Sequence, residues 1–373
     1  MSALFSEFTL SSPRGPLHLA NRGVIAPMCQ YACENGQAND WHLIHWGNLL
    51  NSGAAMLILE ATAVTARGRI TPHCLGLWDD ATAAALADRL QRARHQAPPM
   101  PVAIQLAHAG RKGSSEVPWR GGQLLDKDHG GWWPEGPSAL PHLDNEEAPQ
   151  DMSAQDLIDV REAFVQAAKR ADAMGIDAIE LHGAHGYLLH QFLSPLANQR
   201  NDAYGGSFEN RIRYPMEVFE AVRAVFSGVL GMRLSATDWV EGGWNPEETA
   251  DLSLRLRQAG ANFVHVSSGG VSPQQKIAIG PEYQVPFAKL VKQKSGLPTM
   301  AVGLITQAQQ AQDIVARGDA DLVAMARAFL YNPRWMWQAA AELKGQVQAS
   351  PQYWRCLPRE AQSIFGDVRI GMR

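Results

Sequence analysis

Short apolar runs with little polar alternation punctuate the chain at 23–27, 54–61, 102–106, 178–182, 230–234, 263–267, 299–303 and 322–326. Runs of this length and character suit strands buried on both faces. Between them, apolar positions recur at three- and four-residue spacing. This predicts helices over 41–52, 154–174, 209–226, 246–259, 283–295, 306–317 and 333–344, and an alanine-rich one from Asp79 or Asp80 to about 95. The end signals agree. Asp40 and Ser153 stand where N-caps belong, Pro246 falls in a first turn, and Gly175, Gly260 and Gly318 follow last turns. Strand–helix units repeated in this way predict an α/β fold, a (β/α)8 TIM barrel rather than an open doubly wound sheet. No G-x-G-x-x-G follows any run, so a dinucleotide-binding open sheet has little support.

Two connections, 107–152 and 186–208, are too long for plain strand-to-helix loops. They make long insertions after strands 3 and 4 and fall on the C-terminal face, where barrel enzymes keep their active sites. Residues 1–345 therefore form a single barrel domain, and 346–373 are left as a tail without periodicity. Composition narrows the partners. Lys and Arg total 33 against 37 Asp and Glu, a net charge of −4, so neither nucleic acid nor an anionic membrane surface is an expected partner. No apolar stretch approaches the ~20 residues that cross a bilayer, and the first residues lack the basic and apolar regions of a signal peptide. Four scattered cysteines, Cys29, Cys33, Cys74 and Cys356, suit reduced thiols in a cytoplasm.

The fourth run ends in His182, His185 and Tyr187. A pair of histidines at a strand end can ligate a metal, grip a substrate oxygen or fill space, and a zinc site needs further ligands. Tyr187 shifts the balance toward proton chemistry, because a phenol with a pKa near 10 stays protonated at neutral pH and can donate once positioned. Other strand ends add polar groups. Gln105 offers an amide, donor and acceptor, suited to a uracil-like edge. Arg233, inside an apolar run, needs an anionic partner, either a ligand or a barrel carboxylate such as Glu60 or Glu180. Strands 7 and 8 end in Gly303 and in Ala326-Arg327, a corner that binds phosphate in many barrels. Strand 1 ends in Ala26-Pro27-Met28-Cys29-Gln30-Tyr31, where Cys29 either lies over a ligand or, as a lone small thiol more often does, serves as inert packing.

Taken with Asn39-Asp40-Trp41-His42, Glu60-Ala61-Thr62-Ala63-Val64, Gln105-Leu106-Ala107-His108-Ala109-Gly110-Arg111-Lys112 and Arg200-Asn201-Asp202-Ala203-Tyr204-Gly205-Gly206-Ser207, these segments resemble the Old Yellow Enzyme family of FMN-dependent ene-reductases. The likeness is to the subclass of bacterial xenobiotic reductases, with Cys at the end of strand 1. It implies non-covalent FMN at the C-terminal face and NADPH or NADH as reductant. The substrate is then a small activated alkene, reduced by hydride from flavin N5 and a proton from Tyr187. Carried over by position, Ala26, Pro27, Met28, Cys29, Ala61, Gln105, His182, His185 and Arg233 are flavin contacts. Gly303, Ala326 and Arg327 are the phosphate site, with Lys112 adding charge there. His182 and His185 grip the carbonyl oxygen, Tyr31 is a further substrate contact, and Trp354 is a candidate to line the pocket, since in the subclass a tail residue reaches a neighbouring subunit's active site. No metal is implied. The family usually carries Gly-Arg where this chain has Ala326-Arg327. The resemblance also implies a homodimer or larger homo-oligomer, with the tail at a subunit interface. Two other readings are a barrel metallohydrolase built on His182 and His185, and a flavin-binding protein without turnover.

Overall fold

Eight parallel strands close on themselves in chain order in the computed structural model, which describes residues 2–357, 359–369 and 371. They are Gly23–Ile25, Met56–Ala63, Val102–Ala107, Ala178–Gly183, Val229–Ser235, Phe263–Ser267, Thr299–Ala301 and Leu322–Met325, and the last pairs with the first. The expected (β/α)8 barrel is the fold. Every strand residue is buried, which is why the runs lack polar alternation: helices cover one face and the barrel interior the other. Strands 7 and 8 are shorter than their apolar runs, so Gly303 and Ala326 lie beyond the last paired residues.

The helical layer consists of Asp40–Leu50, Asp80–His95, Ala154–Ala173, Phe208–Val225, Pro246–Gln258, Val285–Ser295, Ala308–Ala316 and Trp335–Leu343. Ser153 and Asp79 cap their helices as expected, but Asn39, not Asp40, caps the first. The Asn39 side chain accepts the Trp41 N–H at 3.1 Å, and His42 Nδ1 accepts the Asn39 N–H at 3.1 Å. Asp40 is thereby moved one place into the first turn, where a carboxylate still favours the helix dipole.

The barrel interior is built in two storeys. The lower is apolar: Val24, Met56, Ala103, Ala178, Val229, Phe263, Met300 and Leu322 pack together. A hairpin of Phe8–Ser12 and Gly15–Leu19, which the hydrophobic pattern did not announce, closes this end with Leu10 and Leu19. Gly231 leaves room for the plug. A Cβ there would stand 2.6 Å from the Phe263 ring. The upper storey is polar. Strand register sets Gln105 opposite Glu180, and Arg233 opposite His265. On strand 2 a bulge between Leu59 and Ala61 shifts the register, so that Ala61 pairs with Gln105. Glu60 is left to meet the helical layer.

The tail folds back on its own subunit. Val347 N–H donates to Ile364 O at 2.8 Å, Ser350 Oγ to Asn51 Oδ1 at 2.6 Å, and the Trp337 ring packs against Tyr353 and Phe365. Asn51 follows the end of the first helix that points away from the strand C-termini, so the tail is anchored at the N-terminal face. Among the described residues, no helix is long and apolar enough to cross a membrane.

Gly231→Ala is expected to lower stability by about 1–3 kcal/mol, the usual cost of overpacking. The double variant with Phe263→Leu should regain part of it. Denaturant midpoints measure both, and an unchanged midpoint for the single variant counts against the plug.

Candidate active site

Strand 4 ends in a turn whose backbone is pinned almost atom by atom. His185 adopts a left-handed conformation, φ +58°, which costs a non-glycine residue about 1–3 kcal/mol. Its N–H donates to Ser235 Oγ at 2.9 Å, and its carbonyl accepts from Lys112 Nζ at 2.9 Å. Gly186 N–H donates to His190 Nδ1 at 2.8 Å, and Gly186 O accepts from Gln191 Nε2 at 2.7 Å. Behind it, His190 Nε2 lies 2.9 Å from Asp238 Oδ1, both side chains being fully buried. Ser194 Oγ and Trp244 N–H satisfy the other carboxylate oxygen. The turn also touches the loop after strand 6. A Cβ on Gly186 would meet Gly270 O at 2.1 Å, and one on Gly270 would meet His185 Cα at 2.5 Å. Only glycines let the two backbones approach so closely.

This turn presents three rings to one point. His182 packs edge-on against His185, with centroids 5.2 Å apart, and against Tyr187, at 4.9 Å. Burial pushes both imidazoles well below their ordinary pKa, and the nearby Arg233 guanidinium pushes the same way. Both are neutral at physiological pH. His182 Nδ1 accepts the Ala184 N–H at 3.3 Å, which leaves its proton on Nε2. His185 Nε2 lies 2.7 Å from Ser267 Oγ, whose neighbour Gln284 also receives Ser268 Oγ at 2.6 Å. Burial raises the Tyr187 phenol above its ordinary range, with Cys29 and Cys74 acting in the same direction and Arg233 against. Tyr187 is thus held as a protonated donor.

Below the rings, Glu180 anchors the polar storey. It is fully buried, accepting Gln105 Nε2 at 2.7 Å and lying 2.8 Å from His265 Nδ1. Arg233 stands beside it on strand 5 without a close ion pair. Its Nε is buried with no protein partner, as is His265 Nε2. Of the two carboxylates considered for Arg233, Glu180 is the nearby charge, whereas Glu60 faces the first helix. Glu60 Oε2 accepts the Gln30 N–H at 2.9 Å, fixing the segment that carries Cys29. Its Oε1 is buried without a hydrogen bond, 3.6 Å from His42 Nε2.

The other expected residues occupy the same mouth. Ala26 to Cys29 leave strand 1, and Ala61 and Gln105 lie in the last turns of strands 2 and 3. Tyr31, also left-handed at φ +50°, packs against Trp119 of the first insertion, and burial raises its phenol too. Gly303 has φ +123°, and a Cβ there would meet Gln284 Nε2 at 2.6 Å. Ala326 caps a short helix, Arg327–Tyr331, whose first residue is exposed. Trp354 lies away from the site of its own subunit: its Nε1–H donates to Ala349 O at 3.0 Å within the tail, which is anchored at the far end of the barrel. One expectation is corrected. Lys112 is not at the phosphate corner. It binds the carbonyls of His185 and Gly270, across the barrel from strand 8. Among the described residues, no three His, Cys, Asp or Glu side chains gather as metal ligands, so the metallohydrolase reading lacks a ligand set. Ser235, Ser267 and Asp238 lie at or just past the ends of strands 5 and 6, and only folding brings them to the turn; His190 follows the turn directly in the short helix Leu188–Leu193, and its spacing alone does not show that it binds Gly186.

The sequence matches the model of the NADH:flavin oxidoreductase / NADH oxidase family over residues 4–346. The chain belongs to this family. A curated NADPH dehydrogenase from Geobacillus sp. (strain WCH70) is 41% identical over 354 residues, covering 94% of this chain and 98% of that protein. NADH:flavin oxidoreductase FG08077 from Gibberella zeae is 40% identical, covering 92% and 87%. Among solved structures, morphinone reductase superposes with a TM-score of 0.74 at 26% identity, covering 94% of this chain and 92% of its own. The Old Yellow Enzyme resemblance is thereby established, with FMN as the cofactor and a nicotinamide as the reductant.

Glu60 supplies a pH test of this local arrangement. Burial raises its carboxyl from an ordinary value of 4.5 to about 8. The folded state therefore binds more protons than the unfolded one between these values, and stability falls as pH rises through that window. Glu60→Gln keeps an acceptor for Gln30 and removes the charge. Its thermal midpoint is expected to exceed the wild type's by several degrees at pH 8.5 and to match it at pH 4. Equal midpoints at both pH values contradict the assignment.

Proposed function

We propose that this flavoenzyme reduces the C=C bond of small activated alkenes, chiefly α,β-unsaturated carbonyl compounds, with NADPH or NADH as electron source. The observation that carries this reading is the convergence of two neutral imidazoles and one protonated phenol on a single point at the barrel mouth. Such a set stabilises a developing oxyanion and delivers a proton to carbon. It contains no nucleophile activated for hydrolysis.

The residues present fit FMN. Arg233 Nε is a buried donor without a protein partner, and Gln105, its amide nitrogen tied to Glu180, keeps its oxygen available for a ring N–H. In this reading Arg233 and Gln105 hold the pyrimidine edge, with Ala26, Pro27, Met28, Cys29 and Ala61 along the ring. Gly303, Ala326 and Arg327 receive the phosphate. Bound FMN supplies the hydride. His182 donates from Nε2 to the substrate carbonyl oxygen, and His185, steadied by Ser267, stands beside it. By analogy with other oxyanion donors each is worth roughly 3 kcal/mol in the transition state. Tyr187 gives its proton to the α-carbon, a general-acid contribution of about 10²–10⁴-fold. Arg233 offsets negative charge on the reduced ring system. Tyr31, with Trp119, borders the substrate space. The same reading makes the protein a cytoplasmic homo-oligomer.

The purified protein is expected to be yellow, bleached by NADPH and recoloured by cyclohexenone. A protein that neither carries nor takes up FMN sinks the proposal, and one that binds FMN without turnover favours a storage role. Tyr187→Phe should slow recolouring at least 100-fold while leaving bleaching within about threefold. Equal slowing of both steps removes the proton-donor role. Arg327→Ala is expected to release FMN on dialysis, and full retention argues against a phosphate contact.

A further inference from the structure

Lys112 stands at the end of a short turn, Gly110–Lys112, after strand 3, and its side chain crosses to the strand 4 turn. Its ammonium has three hydrogens. Two go to carbonyls, His185 O at 2.9 Å and Gly270 O at 3.0 Å. Nζ also stands 5.1 Å from the centroid of the Tyr187 ring, within cation–π range. No carboxylate pairs with it among the described residues. The cation thus stands over the ring of the phenol read above as the proton donor.

We propose that Lys112 is a positioning residue for Tyr187, whose ammonium stabilises the phenolate left after Tyr187 protonates the substrate carbon. This rests on Tyr187 being the proton donor, as proposed above. In that step the Tyr187 O–H bond breaks and its electron pair stays on the phenolic oxygen. The proton forms a C–H bond with the carbon bearing the electron pair left by hydride addition to its neighbour. Water later returns a proton to the phenolate.

Burial makes the bare phenolate unfavourable here, as the raised phenol shows. A unit positive charge about 5 Å from the ring centroid, at an effective dielectric of ~20, changes the ionisation of charge spread over that ring by up to roughly 10²-fold. The same ammonium holds the His185 carbonyl, so it couples the charge to the geometry of the turn. Burial, with Arg111 acting in the same direction and Glu146 against, brings the Lys112 pKa down to about 8. The titratable and charged groups around it are Tyr187, His182 and His185 from the turn, Arg111 beside it, and His142 and Glu146 from the first insertion. The three histidines are all pushed down and carry no charge near pH 8.

The test is rapid mixing of FMN-loaded, pre-reduced protein with cyclohexenone, for wild type, Lys112→Met, Lys112→Arg and Tyr187→Phe, between pH 6 and 9.5. Wild type is expected to lose rate as pH rises through about 8, where Lys112 gives up its proton. Lys112→Met should be about 10- to 100-fold slower at pH 7, with that limb gone. Lys112→Arg should retain most of the rate and move the limb beyond the measured range. A second readout needs no turnover: a fluorinated tyrosine at position 187, titrated by ¹⁹F NMR, should ionise at least one pH unit higher in Lys112→Met than in Lys112→Arg, whose charge persists through the titration. A flat wild-type profile across pH 8 overturns the proposal even if Lys112→Met does not fold, and where that variant folds, equal fluorotyrosine titrations in Lys112→Met and Lys112→Arg overturn it as well. If Tyr187→Phe is as fast as wild type, the proton-donor reading falls and takes this one with it. If Tyr187→Phe is slow and Lys112→Met is not, only the role of Lys112 falls.

Discussion

A single carboxylate inside the barrel organises what lies above it. Glu180 is removed from water, and a buried charge is tolerated only when hydrogen-bonded and balanced. Gln105 and His265 supply the hydrogen bonds, and Arg233 supplies the opposite charge nearby. These three residues come from strands 3, 6 and 5, and Glu180 from strand 4, so the arrangement exists only in the closed barrel. In return it orients Gln105 and leaves the Arg233 Nε free for a ligand. The apolar plug beneath, with Phe263 seated against Gly231, keeps water from this charge from the other side.

The same logic governs the turn at the end of strand 4. A left-handed histidine and two glycine backbones in contact are unfavourable locally, and they persist because side chains from several elements overdetermine them. Ser235, Lys112, His190 and Gln191 each tie down one backbone group of His185 or Gly186. His182 and Tyr187 flank this stretch and inherit its precision. Strain and fixing together hold the three rings in mutual contact at the barrel mouth.

The family comparison and the geometry constrain different things. Membership fixes the class of cofactor and the hydride chemistry. The positions of the rings bear on the substrate end of the reaction, because a phenol kept protonated by burial is able to act as a general acid. The first insertion, with Trp119 against Tyr31, is the part that differs in kind from a plain barrel loop.

Much of this was legible in the chain itself. Eight apolar runs and the helical spacing between them determine the barrel, since buried parallel strands and amphipathic helices have periods that cannot be exchanged. The order of polar residues at run ends also determines which side chains reach the mouth, and so His182, His185, Tyr187, Gln105 and Arg233 could be named in advance. The hairpin under the barrel could not, because two short mixed strands carry no distinctive period. Nor could the destination of Lys112, the inward fold of the tail carrying Trp354, or the serine, histidine and aspartate behind the turn. Apart from the bond from Gly186 to His190, four residues on, those outcomes depend on contacts between residues tens to hundreds of positions apart, and local spacing carries no information about which distant partner a side chain meets. Periodicity decided the architecture; closure of the barrel decided the partners.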